Sequence, residues 1–209
     1  MRYATMPGVP GVRIEGSWPG HKAIPGKYKI DLKRGGQTVS TEAEILANPL
    51  YPTTPAVYSE YHQTMLGMET ELATMHRMVN NLYEKQKQLE SLLSSLTAEK
   101  HKAIKTEGEA LLKKMKAWDE DMVQRKSKAY DDVENFPNKF TANYLFLINQ
   151  TESDIPRVNQ PSLDRLRELN AQWATLKARG NELLERDIPA FNKRLWDAGL
   201  GAIWAAPTK

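Results

Sequence analysis

The chain contains no cysteine, which removes disulfide cross-links, thiolate nucleophiles and thiolate metal ligands at once. It has no run approaching the roughly 20 apolar residues that span a bilayer, and its first residues lack the apolar core of a secretory signal. Charge of one sign is missing too. The 209 residues carry 29 Lys and Arg against 26 Asp and Glu, a net charge of +3. The balance is local as well as global, since residues 99–136 hold nine of each sign. A surface that tracks phosphates needs a one-signed stripe, so nucleic acid is not an expected partner. The cluster Lys113, Lys114 and Lys116 reads as a solvated helix face.

Motifs of catalysis are also absent. There is no Gly-x-Ser-x-Gly elbow, no His-Glu-x-x-His pair and no Glu-x-x-His of the carboxylate-bridged bundle type. Pro7-Gly8-Val9-Pro10-Gly11 is glycine-rich but lacks the Lys-Ser/Thr ending of a phosphate loop. His62 and His76 fall on one helix, 14 residues and about 20 Å apart. They cannot share a metal ion and read as exposed or rim side chains. The carboxylate neighbours Asp119–Glu120 and Asp131–Asp132 point about 100° apart on a helix, and Glu120 with Gln124 and Asp121 with Arg125 read as solvated pairs. The sequence therefore predicts no catalytic residue, no metal ligand and no cofactor. Asn149-Gln150-Thr151 fits the glycosylation pattern, which is short and weakly specific.

Two compositional regimes are present. The first 50 residues hold seven of the 12 Gly and five of the 12 Pro, so helix is disfavoured there. From Tyr28 the chain alternates, with Tyr28, Ile30 and Leu32 on one face and Lys27, Lys29, Asp31 and Lys33 on the other. Gly35-Gly36 supplies a two-residue hairpin turn, and Gln37 to Leu46 returns with Val39, Thr41, Ala43 and Ile45 on one face. Val12 to Gly16 can add a third strand. A lone hairpin is marginal in water, so either the helices cover its apolar face or the rest of a sandwich does.

After the prolines between Asn48 and Pro55 the pattern changes to helix. Thr54 can cap and Pro55 suits a first helical turn. Tyr58, Tyr61, Met65, Met68, Leu72, Met75, Val79, Leu82, Leu89, Leu93 and Leu96 then recur at intervals of three and four, with Gln86 the one polar interruption. This is a helix of roughly 60 Å with a seam for partners. A second seam, Ile104, Gly108, Leu111, Met115, Trp118, Met122 and Ala129, runs on toward Val133 and Phe136 and folds back along the first. Tyr144 to Ile148 predicts a short third helix, ended by a loop from Asn149 to Gln160. Pro161-Ser162 opens another, with Leu163, Leu166, Leu169, Trp173, Leu176, Gly180, Leu183, Phe191 and Leu195 inward and an interruption at Pro189. The tail from Leu200 to Ala206 packs back on the bundle or the β segment. The expected fold is α+β, mostly α: a β segment over residues 1–50 and an antiparallel bundle of three to four long helices over residues 51–209.

The stretch Pro25-Gly26-Lys27-Tyr28-Lys29-Ile30-Asp31-Leu32, its hairpin, and Asn48-Pro49 before a long helix resemble the C-terminal region of bacterial sortilin-like (VPS10-type) BNR-repeat proteins, often labelled glycosyl hydrolase-like. Met1-Arg2-Tyr3 looks like the tail of that family's Trp-Asp-Leu-Arg-Tyr strand. Asp154-Ile155-Pro156, Phe191-Asn192 with Leu195, and Gly199-Leu200 with Ile203 are similar to its helical end. The resemblance implies that the β segment is part of an immunoglobulin-like sheet, that a β-propeller lies upstream, and that the parent is exported: periplasmic, outer-membrane-associated or secreted. The Ser-x-Asp-x-Gly-x-x-Trp box of BNR repeats is absent, so no propeller activity carries over.

The expected role is a non-catalytic structural or interaction module. Its partners would be the upstream domains of its own chain, another protein or a second copy. One alternative is a stand-alone coiled-coil adaptor that grips a partner helix with a Met-rich face of Met65, Met68, Met75 and Met78. A third reading is an accessory part of a carbohydrate-active enzyme. Trp118 and Trp173 fall on seams and read as core. Trp18, Trp196 and Trp204 fall near irregular segments where an indole can serve a contact.

Overall fold

The computed structural model describes residues 20–97, 99–128, 132 and 135–204. The proposed strand Val12–Gly16, the segment Pro7–Gly11, Met1–Tyr3, Trp18, Ala129, Val133, the pair Asp131–Asp132 as a pair, and Ala205–Ala206 lie outside them. Two antiparallel strands, β1 (Gly26–Arg34) and β2 (Gln37–Ile45), form a hairpin. Gly35 and Gly36 join them with φ of +52° and +79°, both in the left-handed region that a primed two-residue turn requires and that side chains disfavour.

The prolines then deliver the chain to α1 (Pro55–Ser95), 41 residues long. Asn48 organises the approach, its side-chain oxygen accepting the Leu50 N–H at 2.9 Å and its carbonyl the Tyr51 N–H at 3.1 Å. Thr54 takes the extended N-cap conformation, yet its side chain makes no capping bond. Every residue of the predicted seam is buried, Gln86 and Leu96 included. Glu69, Ala73 and His76 are buried as well, because α1 is covered on more than one side.

The second helix, α2 (Lys102–Met122), buries Ile104, Gly108, Leu111, Met115, Trp118 and Met122 as expected. It stops earlier than the apolar pattern suggests. Val123 is already extended, at φ −136° and ψ 136°, and Arg125 turns back to hold Asp119 with two bonds of 2.6 and 2.8 Å. The expected continuation toward Phe136 is therefore corrected: Phe136 sits half-buried in a non-helical segment. The helical pairs predicted to follow the same continuation also fail. Asp121 pairs with Arg179, and Gln124 bonds Ser127.

A third helix, α3 (Phe140–Glu152), spans more than the predicted core of Tyr144–Ile148 and takes in the first residues of the predicted loop. Asn149-Gln150-Thr151 thus lies on a helix, where the buried Thr151 hydroxyl donates to the Leu147 carbonyl at 2.8 Å. The fourth, α4 (Gln160–Glu182), starts from Asn159, whose side chain accepts the Ser162 N–H at 2.8 Å. Pro189 has no N–H to give the preceding turn, and the helix widens into a π turn over Leu183–Asp187 before α5 (Ile188–Asp197).

Contacts between helices fix their directions. Gly108 of α2 packs against Leu89 and Leu93 of α1, and Arg125, just past the end of α2, stacks over Tyr83, so α2 runs down α1; Lys116 and Glu90 pair between them at 2.7 Å. The Thr141 hydroxyl of α3 reaches the Met122 carbonyl at 2.9 Å, and the Tyr61 hydroxyl reaches the Glu152 carbonyl at 2.9 Å. Hence α3 continues the descent from where α2 ends. Trp173 bonds Glu71 at 2.7 Å and Gly180 faces Met78, so α4 climbs alongside α1. Its climb continues through Lys114–Asp187 at 3.0 Å and Arg194–Glu107 at 3.0 Å. The result is three antiparallel rods, α1, then α2 with α3, then α4 with α5, whose middle rod is broken by the excursion between Met122 and Phe140.

Lys114 and Lys116 of that basic cluster each pair across helices on the bundle surface. At the far end, Asn192 clamps Ile203 with bonds of 3.0 and 2.8 Å, so the tail packs on the bundle. Among the described residues no helix is long and apolar enough to cross a membrane.

Candidate functional site

The hairpin stands out from this otherwise well-buried molecule. In its register Tyr28 faces Ala43, Ile30 faces Thr41 and Leu32 faces Val39, while Lys27 faces Glu44 and Lys29 faces Glu42. Directly opposed residues share a face, so one side of the hairpin is apolar and the other charged. A half-solvated sheet buries the apolar side. Here it is open: Ile30 is 52% exposed, Leu32 71% and Val39 69%. The apolar strip continues through exposed Ile45, Leu46, Leu50 and Tyr51 to a cavity of about 370 Å³ at the hairpin's base, which Tyr58, Ile155 and Pro156 close from the bundle side.

What fastens the hairpin to the bundle is a cluster that spacing does not reveal. His21, five residues ahead of β1, gives both its backbone N–H and its Nδ1 to the Glu69 carboxylate at 2.7 Å. Its Nε2 lies 2.7 Å from Nδ1 of His62. The His21 and Glu69 side chains are 1% and 2% exposed, and the His21 ring meets Tyr61 edge-on at 6.0 Å. His62 and Glu69 lie 41 and 48 residues beyond His21 in sequence, so only the folded chain assembles the cluster. Nearby, burial and then the carboxylates of Glu152, Glu69 and Asp154 push the Tyr61 phenol up to about 12.

The methionines proposed as an adaptable groove are corrected by their burial. Met65 and Met75 are 0% exposed and Met68 1%, and Met78 is half-buried against Gly180. The rods close over this face because it is the seam along which α3 and α4 pack. His76, read as exposed or rim, is also buried, on the same widened arc of α1 as Glu69 and Ala73. Trp118 and Trp173 are core, each with its indole N–H satisfied, on Leu176 O and on Glu71. Trp196 and Trp204 are exposed, at 81% and 65%. They lie at the end of the bundle that holds α5 and the tail, and the Trp204 backbone is tied to Gln88.

A second cavity, of about 440 Å³, lies beside the end of α2, where Arg125 stacks 3.7 Å over the Tyr83 ring while holding Asp119. The guanidinium is thereby committed to a structural role. Among the described residues no group of three or more His, Asp or Glu is placed to hold a metal ion. No family model, curated protein or solved structure matches the chain.

Proposed function

We propose that the chain is a non-catalytic structural and contact module of a larger exported protein of the sortilin-like BNR-repeat kind, its three-rod bundle a rigid base and its hairpin the docking element. The observation that carries this reading is the apolar hairpin face, Ile30, Leu32 and Val39, left in solvent on a chain that buries its helical seams. Exposed apolar surface that is contiguous and rimmed by charge is the physical mark of a contact site.

The test uses the purified chain and the variants Leu32→Lys and Val39→Lys. Because both positions are exposed, melting temperatures are expected to stay within about 2 °C of the unsubstituted chain, while binding of an apolar fluorescent dye falls. A panel of glycosides and peptides is expected to remain uncleaved. Hydrolysis of any of them, abolished by one carboxylate substitution, would overturn the proposal.

A further inference from the structure

The two edges of the hairpin differ in chemistry. Strand β1 carries Lys27, Lys29, Lys33 and Arg34, all exposed, and lysines on an edge oppose the arrival of another strand. Strand β2 has no Lys, Arg, Pro or Gly in its nine residues Gln37–Ile45. Its register with β1 is continuous, with no bulge to twist the edge away. Every one of its residues is exposed, and among the described residues the sheet has two strands only. By the devices that protect sheet edges, β1 is guarded by four basic residues and β2 by two glutamates alone.

On the charged face β2 presents Glu42 and Glu44, opposite Lys29 and Lys27. Among the described residues neither carboxylate forms an ion pair, and Lys29 turns along its own strand to Asp31 at 3.3 Å. On the other face β2 presents Val39, Thr41, Ala43 and Ile45. An incoming strand would therefore meet acid on one side and an apolar surface on the other.

We propose that the β2 edge is a strand-addition site for a partner segment that alternates Lys or Arg with apolar residues. The basic side chains meet Glu42 and Glu44, and the apolar ones extend the face formed by Ile30, Leu32 and Val39. Main-chain bonds supply affinity in such pairing and the alternate side chains supply selection. A second copy joined β2 to β2 is disfavoured, because both pairs of glutamates would gather on one face of the joined sheet, and like charges across strands destabilise it. A second copy joined through its β1 brings basic residues, but on an edge whose own lysines and arginine oppose the arrival of a strand.

This inference rests on the hairpin being the docking element, and deepens it. The probe is a capped synthetic peptide with the β1 sequence, Gly-Lys-Tyr-Lys-Ile-Asp-Leu-Lys-Arg, and the control replaces its Lys and Arg with Glu. Each is titrated into the isotope-labelled full chain while the β2 amides are followed by NMR shift and hydrogen exchange. The basic peptide is expected to shift and protect alternate amides of Gln37–Ile45, at least tenfold more tightly than the acidic one. In the variant carrying Glu42→Lys and Glu44→Lys the preference is expected to reverse.

Equal binding of both peptides, or no shift of β2 at millimolar peptide, overturns the inference. Concentration-dependent self-association of the chain alone, with protection of both β1 and β2, overturns it in favour of a second copy. Hydrolase activity in the separate assay removes the underlying reading instead, so the two failures are told apart.

Discussion

Truncating Met65 separates a packed seam from a docking groove. Met65 is fully buried, with Met68 and Met75 along the same line of α1. Met→Ala at such a site removes apolar contacts and leaves a cavity, at a cost of about 2–5 kcal/mol. For a chain of this size each kcal/mol lowers Tm by about 2–4 °C, so Met65→Ala should melt roughly 4–20 °C below the unsubstituted chain. Met65→Leu conserves volume and should cost less than about 1.5 kcal/mol. Calorimetry or circular dichroism melting gives both values. Peroxide oxidation read by mass spectrometry gives an independent measure, since Met65, Met68 and Met75 should oxidise far more slowly in the native chain than in urea. If Met65→Ala melts with the unsubstituted chain, or these sulfurs oxidise as fast folded as unfolded, the seam is not closed and the groove reading returns.

Asn159 caps α4 by accepting the Ser162 N–H at 2.8 Å, so Asn159→Ala should cost about 1 kcal/mol, a Tm loss of about 2–4 °C. Tyr61 has its phenol raised by burial, then by Glu152, Glu69 and Asp154, from 10.0 to about 12. A raised folded value means that its contribution is complete below pH 10, the unfolded value, and is lost as pH climbs through about 12. Urea midpoints should therefore fall across that window, and fall less in Tyr61→Phe, with phenolate absorbance following the same rise. A midpoint that is flat there, or equally steep in the variant, would contradict the burial of this hydroxyl.

The long seam of α1 was legible because a periodicity of three and four over some forty residues has no other packed solution. Its buried side is nevertheless wider than the seam. Glu69 enters the interior under the irregular segment that carries His21, His76 is buried too, and a single helix's pattern says nothing about how many neighbours it has. The break after Met122 was hidden for a related reason. Apolar residues recur beyond it, while the helix is ended by the Asp119–Arg125 pair, a contact that looks like ordinary helix-face charge in sequence. The histidine cluster was out of reach altogether, since His21 lies in an irregular segment and finds Glu69 and His62 only through the fold. Alternation gave the hairpin and its two faces, but the same alternation describes a covered face and an open one.

That last ambiguity is resolved by where the exceptions to burial fall. Among the described residues eleven large apolar side chains are exposed, and seven of them, Ile30, Leu32, Val39, Ile45, Leu46, Leu50 and Tyr51, lie between residues 30 and 51. The other four, Leu66, Phe146, Trp196 and Trp204, are spread over the helices and tail, as single surface apolars commonly are. The helical seams close upon one another without help from the hairpin, so its apolar residues contribute little to the stability of the bundle. They remain in water on a strand pair that is marginal alone and is secured at its root by Glu69, His21 and His62. Burial of this face by a partner would remove apolar surface from water and stabilise the pair by about 25 cal/mol per Å², and for the hairpin no other large source of stabilisation is left within the described fold.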